Sequence, residues 1–234
     1  VERKGTRALT LEEVKEMRDD FVRAAERAKK CGYDGVEIHG AHGYLISQFI
    51  SSKINQRKDD YGGSLDNRSR LLFEIVEGIR DACGGEFLLG VRLSPERFGM
   101  QLSEVKDICQ QLIDGGKTDF IDISLWDSFK MPVEEAHQDK TLLQHFAELD
   151  FKNVVLSVAG KIGTDKDVSA ILETKVEAVS IGRSAILHHD FPIKVMENPN
   201  FEPTPNPVSE EYLLKQGLSQ KFVKYMRNWK GFVE

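Results

Sequence analysis

Apolar residues recur along this chain in two alternating rhythms. Thr10 and Glu13 form a T-x-x-E capping box, and Val14, Met17, Phe21, Ala24, Ala25 and Ala28 follow at helical spacing up to a glycine stop at Gly32. The short run Gly35-Val36-Glu37-Ile38-His39 then has the length and β-branching of a strand. The same alternation continues. A helix over roughly 66–82 carries Leu72, Ile75, Val76 and Ile79 on one face and leads into the strand Phe87–Leu93. Ser103 is placed to cap a helix bearing Val105, Ile108, Leu112 and Ile113, which precedes the strand Phe120–Ser124. A helix near Thr141–Leu149 comes before Val154–Val158, and a helix capped by Thr164 comes before Ala178–Gly182.

Near-continuous apolar strands, each after the first reached through a helix, predict an α/β fold with a parallel sheet buried by crossover helices. Five such strands fit either an open doubly wound sheet or part of an eight-stranded barrel, and periodicity does not choose between them. His39, Arg92, Ser124, Gly160 and Arg183 fall at or just past C-terminal strand ends, where both architectures place ligand sites. Residues 198–207 hold four prolines and read as irregular; helical periodicity resumes over 208–229.

With 234 residues, 40% hydrophobic and 30% charged, the chain has room for one substantial core. A net charge of −6 disfavours nucleic acid or an anionic membrane as an obligate partner. No apolar run approaches a membrane span, and no signal-peptide pattern opens the chain, so the expectation is a cytoplasmic protein. Cys31, Cys83 and Cys109 are widely spaced, without a metal-ligand pattern, and read as reduced core residues.

The densest signal begins at β-like residue His39. His39-Gly40-Ala41-His42-Gly43-Tyr44-Leu45 is followed by Gln48-Phe49, by Asn55-Gln56-Arg57-Lys58-Asp59-Asp60-Tyr61-Gly62-Gly63-Ser64, and by Asn67-Arg68-Ser69-Arg70. This resembles the Old Yellow Enzyme (NADH:flavin oxidoreductase) signature H-x-x-[HN]-G-Y, Q-F, N-x-R-x-D-x-Y-G-G-S, N-R-x-R. Val91-Arg92-Leu93-Ser94 and Ile181-Gly182-Arg183 continue the likeness over nearly the whole chain. The resemblance implies a partial TIM (β/α)8 barrel that binds FMN at its C-terminal face. On that alignment residues 1–197 supply parallel strands four to eight with their helices, and 198–234 form a Pro-rich segment and a C-terminal helix packed on the barrel. About 35 residues precede the first strand, too few for three βα units of a barrel that takes roughly 250 residues when complete.

The resemblance also implies a chemistry: hydride passes from NADH or NADPH through FMN to an electron-poor alkene or similar small-molecule acceptor. His39 and His42 then hydrogen-bond the acceptor's carbonyl or nitro oxygen, where negative charge grows. Tyr44 gives the proton to the α-carbon, and Arg92 faces the pyrimidine edge of FMN. Gly160, Lys161, Gly182 and Arg183 follow the last two strands, where barrels bind phosphate; the family's paired glycine is Gly160-Lys161 here. Read without the family, the histidines are equally a structural pair, or a zinc pair lacking a third ligand. Tyr44 is then a packed aromatic, and Arg92 a salt-bridge partner for a residue such as Glu37. His188 and His189 read as a solvated loop, with the substrate mouth as the alternative, and the YGGS and NRxR segments read as structural. A phosphate-binding lyase would need a lysine at a strand end, and none is there.

A second expectation is of another class: a catalytically incomplete barrel fragment with a structural or interaction role. An open half-barrel exposes two sheet edges, which predicts self-association or a missing N-terminal barrel portion.

Overall fold

The computed structural model describes residues 7–234. Helix α1 (Leu11–Lys30) starts at the capping box, where Glu13 N–H donates to Thr10 Oγ1 and Thr10 N–H donates to Glu13 Oε2. Then follow β1 (Gly35–Gly40), α2 (Leu45–Ile50), α3 (Leu65–Cys83), β2 (Leu88–Leu93), α4 (Leu102–Gly115) and β3 (Phe120–Ser124). A short 3-10 turn (Glu135–His137) leads to α5 (Leu142–Ala147), β4 (Val155–Ala159), α6 (Asp165–Leu172) and β5 (Ala178–Val179). Four short helices close the chain: α7 (Arg183–Leu187), α8 (Phe191–Glu197), α9 (Glu210–Lys215) and α10 (Gln220–Met226).

The five strands are all parallel, and their spatial order is their chain order. A doubly wound sheet reverses direction once and lays helices on both faces. Here every strand adds on the same side. One face of the sheet, carrying Ile38, Leu89, Val91, Leu93, Ile121, Ile123, Leu156 and Val158, is sealed into a single core with the helices. The other face carries Glu37, His39, Leu88, Arg92, Phe120, Asp122 and Ser157, and Leu88 on it is 49% exposed. Singly wound strands with helices on one face are the connectivity that (β/α) barrels use, and the strand order is not that of a doubly wound sheet. Gly90 belongs to that second face, where the Phe120 ring lies 2.0 Å from the position of an added Cβ.

Most of the dense signature is structural, as its sequence suggested. Arg68 is almost wholly buried; it pairs with Glu104 through Nη1 (3.0 Å) and Nη2, and donates to the carbonyls of Ile50 and Gly63. Arg57 binds Asp59 at 2.6 Å and the Leu9 carbonyl. Asn55 Nδ2 donates to the carbonyls of Phe49 and Tyr61, Asn67 Nδ2 to that of Gly62, and Arg70 Nε to that of Asp60. Gly62 packs so closely that a Cβ would lie 2.3 Å from the Arg57 carbonyl. These bonds satisfy the backbone of a long loop that has no sheet or helix ladder of its own.

Several expectations change. Gln101, not Ser103, precedes α4, and Leu102 opens it. Helix α2 was not anticipated, because six residues give too short a period to read. The helix expected over 208–229 is two helices, broken where Gly217 takes φ +88°. Together with Leu187, they form a second small apolar cluster around Val208, Leu213, Val223, Met226 and Phe232. His188 is no solvated loop residue. It is buried, its Nε2 accepts Thr204 N–H at 2.9 Å, and its Nδ1 lies 3.3 Å from the Tyr212 hydroxyl, which donates to the Leu187 carbonyl. It latches the C-terminal segment instead of facing a substrate mouth.

Two outcomes are expected. Arg68→Ala removes a buried guanidinium and leaves the half-buried Glu104 carboxylate and the Ile50 and Gly63 carbonyls without their donor, and should lower unfolding stability by about 2–3 kcal/mol in urea titrations. His188 accepts a backbone N–H and so is neutral, and burial with Lys194 nearby holds its pKa below the usual value. Its stabilising contribution is therefore complete above an unfolded pKa of about 6.5 and declines as pH falls below that. The urea-midpoint advantage of the parent over His188→Gln should narrow between pH 7.5 and 5.5; an advantage that widens would contradict the latch.

Candidate active site

Parallel register aligns one residue from each strand in a row across the open face. His39 pairs in register with Arg92, Arg92 with Asp122, and Asp122 with Ser157. Such a row places side chains about 4.8 Å apart, so they interact directly. Arg92 Nε lies 3.2 Å from Asp122 Oδ2, close enough for an ion pair although misaligned for a hydrogen bond. Ser180 Oγ donates to the same oxygen at 3.4 Å and lies 3.3 Å from Ser157 Oγ.

The chain reverses immediately past β1. His42 at φ +61° and Gly43 at φ +74° form a left-handed step that swings the second imidazole back over the first. The His39 and His42 ring centres are 5.1 Å apart, and the Tyr44 ring centre is 5.3 Å from that of His39. His42 is held at two points: its backbone N–H donates to Ser94 Oγ at 3.0 Å, and its Nε2 is joined to Ser124 Oγ by a 2.7 Å hydrogen bond. Among the described residues His39 makes no hydrogen bond through its ring.

Burial, reinforced by the Arg92 charge, holds the pKa of both imidazoles below the ordinary histidine value. Asp122 is pushed up by burial, and Arg92 with the two serines opposes that push. Glu37 also rises, through burial and then repulsion from Asp122. The pocket thus presents neutral imidazoles beside a fixed cation.

The expected residues fall into two groups. His39, His42, Tyr44 and Arg92 converge at the ends of β1 and β2. Gly160 and Lys161 lie past β4, and Gly182 and Arg183 at the start of α7; Ser184 Oγ, donating to the Ile162 carbonyl at 3.3 Å, joins these two loops. Gly160 is packed against the β3 loop, where an added Cβ would meet the Asp127 and Ser128 nitrogens at 3.0 Å. Lys161 is paired with Asp127 at 2.8 Å, whereas Gly182 has open space and Arg183 is exposed.

Three partners escaped assignment from sequence. Arg92 pairs with Asp122, not with Glu37. The signal was present: a carboxylate inside the apolar run Phe-Ile-Asp-Ile-Ser needs a buried partner, and Asp122 and Ser124 share one face by alternation. Ser94 and Ser124 were visible at strand ends, but nothing in the sequence aims them at His42.

A parallel, singly wound α/β sheet with its polar cluster at the C-terminal strand ends is the arrangement on which (β/α) barrels build their ligand sites. The profile of the NADH:flavin oxidoreductase / NADH oxidase family matches residues 1–202, and the chain belongs to that family. A probable NADH-dependent flavin oxidoreductase, YqiG of Bacillus subtilis, is 37% identical over 198 residues, covering 82% of this chain and 53% of that protein. The NADH oxidase of Thermoanaerobacter brockii is 34% identical over 199 residues, covering 82% of this chain and 30% of its own. The solved Old Yellow Enzyme homologue from Zymomonas mobilis superposes with a TM-score of 0.70 at 30% identity, over 89% of this chain and 57% of that one. The chain therefore spans from under a third to a little over half of the proteins it matches.

The electrostatic account predicts a direction. Arg92→Gln should raise the titration midpoints of both His39 and His42, read from their ring proton resonances by NMR. Midpoints that stay put or fall would show that the Arg92 charge does not act on them.

Proposed function

We propose that this chain is the C-terminal part, strands four to eight, of an FMN-binding (β/α)8 barrel. In it, the chain forms the acceptor-binding side of an NAD(P)H-dependent flavin oxidoreductase that reduces an electron-poor alkene or similar small molecule. The observation that carries this reading is the convergence of His39, His42 and Tyr44 beside the Arg92–Asp122 pair.

The residues suit the flavin. Among the described residues the Arg92 side chain makes no hydrogen bond, and it is about a quarter exposed, so a polar ring edge can meet its accessible part. Arg92 would hold the pyrimidine edge; Gly182 and Arg183 would take the phosphate, with Lys161 joining if it leaves Asp127. When bound, FMN supplies hydride to the acceptor after taking it from a nicotinamide.

Around that transfer the protein's own groups act on the acceptor. Neutral His39 and His42 retain N–H donors at pH 7 and polarise the acceptor oxygen, stabilising the charge that develops there. Ser124 holds the His42 ring and Ser94 its backbone N–H, so the alignment of the imidazole carries little reorganisation cost. Tyr44, exposed next to His39, delivers a proton from its hydroxyl to the α-carbon.

The fragment reading has its own support. The outer strands β1 and β5 carry no further strand among the described residues, and Leu88 lies open on the uncovered face. An N-terminal barrel portion, or a second copy of the chain, would cover both.

The test is spectroscopic. Purified chain mixed with FMN should show a perturbed flavin band that NADH or NADPH bleaches anaerobically and an α,β-unsaturated ketone restores. His39→Ala should slow the restoring step about 10²-fold while leaving bleaching intact. Tyr44→Phe should slow it by a similar factor. Protein that leaves the FMN spectrum unchanged would support the fragment reading.

A further inference from the structure

The loop after β2 and the loop after β3 meet at the mouth of the same site. Ser94, Arg97 and Phe98 from the first, with Leu125 and Trp126 from the second, line one crevice together with His42 and Ser124. Arg97, Phe98 and Trp126 all have left-handed backbone, at φ +68°, +51° and +66°. For residues with a Cβ that conformation costs roughly 1–2 kcal/mol each, and such residues cluster where a site requires them. The strained turn stacks the Arg97 guanidinium over the Trp126 ring, 4.2 Å from its centre. Trp126 remains 57% exposed.

Arg97 has no counter-ion. Among the described residues no carboxylate lies within 4 Å of it and no hydrogen bond uses it. The neighbouring Glu96 is turned inward, to Lys130 and the Val133 N–H. Stacking occupies one face of a guanidinium but leaves its N–H donors free in the plane, a fork that matches a carboxylate. A cation on a flat aromatic ring, opening onto the crevice of the acceptor-polarising histidine, is a complete recognition element for a planar anion.

We propose that Arg97 and Trp126 select acceptors that carry a carboxylate on a flat, aryl-type scaffold, remote from the oxygen held by His39 and His42. The scaffold lies against Trp126 and Phe98, and the carboxylate takes the Arg97 fork. This rests on the acceptor-binding reading above, but its test does not need the flavin.

The chain has two tryptophans, Trp126 and Trp229, so Trp229→Phe makes emission report on Trp126 alone. In that background, 4-acetylbenzoate, which has a ketone and a carboxylate but no reducible alkene, should change the emission saturably. Arg97→Gln should weaken its binding roughly tenfold and Arg97→Lys less, whereas the methyl ester should bind more weakly than the acid and be indifferent to both. Circular dichroism of each variant checks folding. Equal binding of acid by Arg97→Gln and parent, or no saturable response from the parent, would overturn the proposal. Binding of the acid by a chain that fails to bind FMN would instead overturn the flavin reading and leave this one standing. NADH and NADPH, titrated alone, distinguish a phosphate-selective site: a response to them with none to 4-acetylbenzoate also overturns it.

Discussion

The site depends on one ion pair, Arg92 with Asp122. Register places them side by side on adjacent strands, and Asp122 is buried, so its carboxylate would be costly there without the cation beside it. Their imperfect alignment leaves Arg92 Nε without a hydrogen-bond partner, so the pair is incompletely satisfied. Burial first, and then the same cation, holds the His39 and His42 pKa values below the usual histidine value, and a neutral imidazole donates a hydrogen bond while holding no charge of its own. In the proposed function, acceptor polarisation and flavin contact would thus draw on one electrostatic arrangement spread over three strands.

A second constraint is mechanical. The reversal after β1 must bring His42 back over His39, and a left-handed histidine followed by a left-handed glycine does so only if the next segment is fixed. The long loop from Ser51 to Ser64 supplies that fixity through Asn55, Arg57, Asn67, Arg68 and Arg70. Side chains do there what a sheet ladder does elsewhere.

Much of this was legible beforehand, and the rest failed for identifiable reasons. Capping boxes and the apolar rhythm located α1, α3 and the strands, since these elements are long or strongly amphipathic. The motif around His39 placed His39, His42 and Tyr44 close together, as their ring distances show, because a turn of a few residues is a local matter. Asp122 was missed because its role is set by register between strands distant in sequence. His188 was misread for a similar cause: its partners, Thr204 and Tyr212, lie beyond a proline-rich stretch with no periodicity. Arg97 and Trp126 gave no signal at all, since two loops separated by α4 must meet before their stacking exists.

The most direct measurement of the central claim is the affinity of the purified chain for FMN, followed by quenching of flavin fluorescence, for the parent and for Arg92→Gln. If Arg92 is the cation of the flavin cradle, the substitution should weaken binding about tenfold or more while the His188 latch and the overall circular dichroism persist. Equal FMN affinity in the two proteins, with the fold intact, would contradict it.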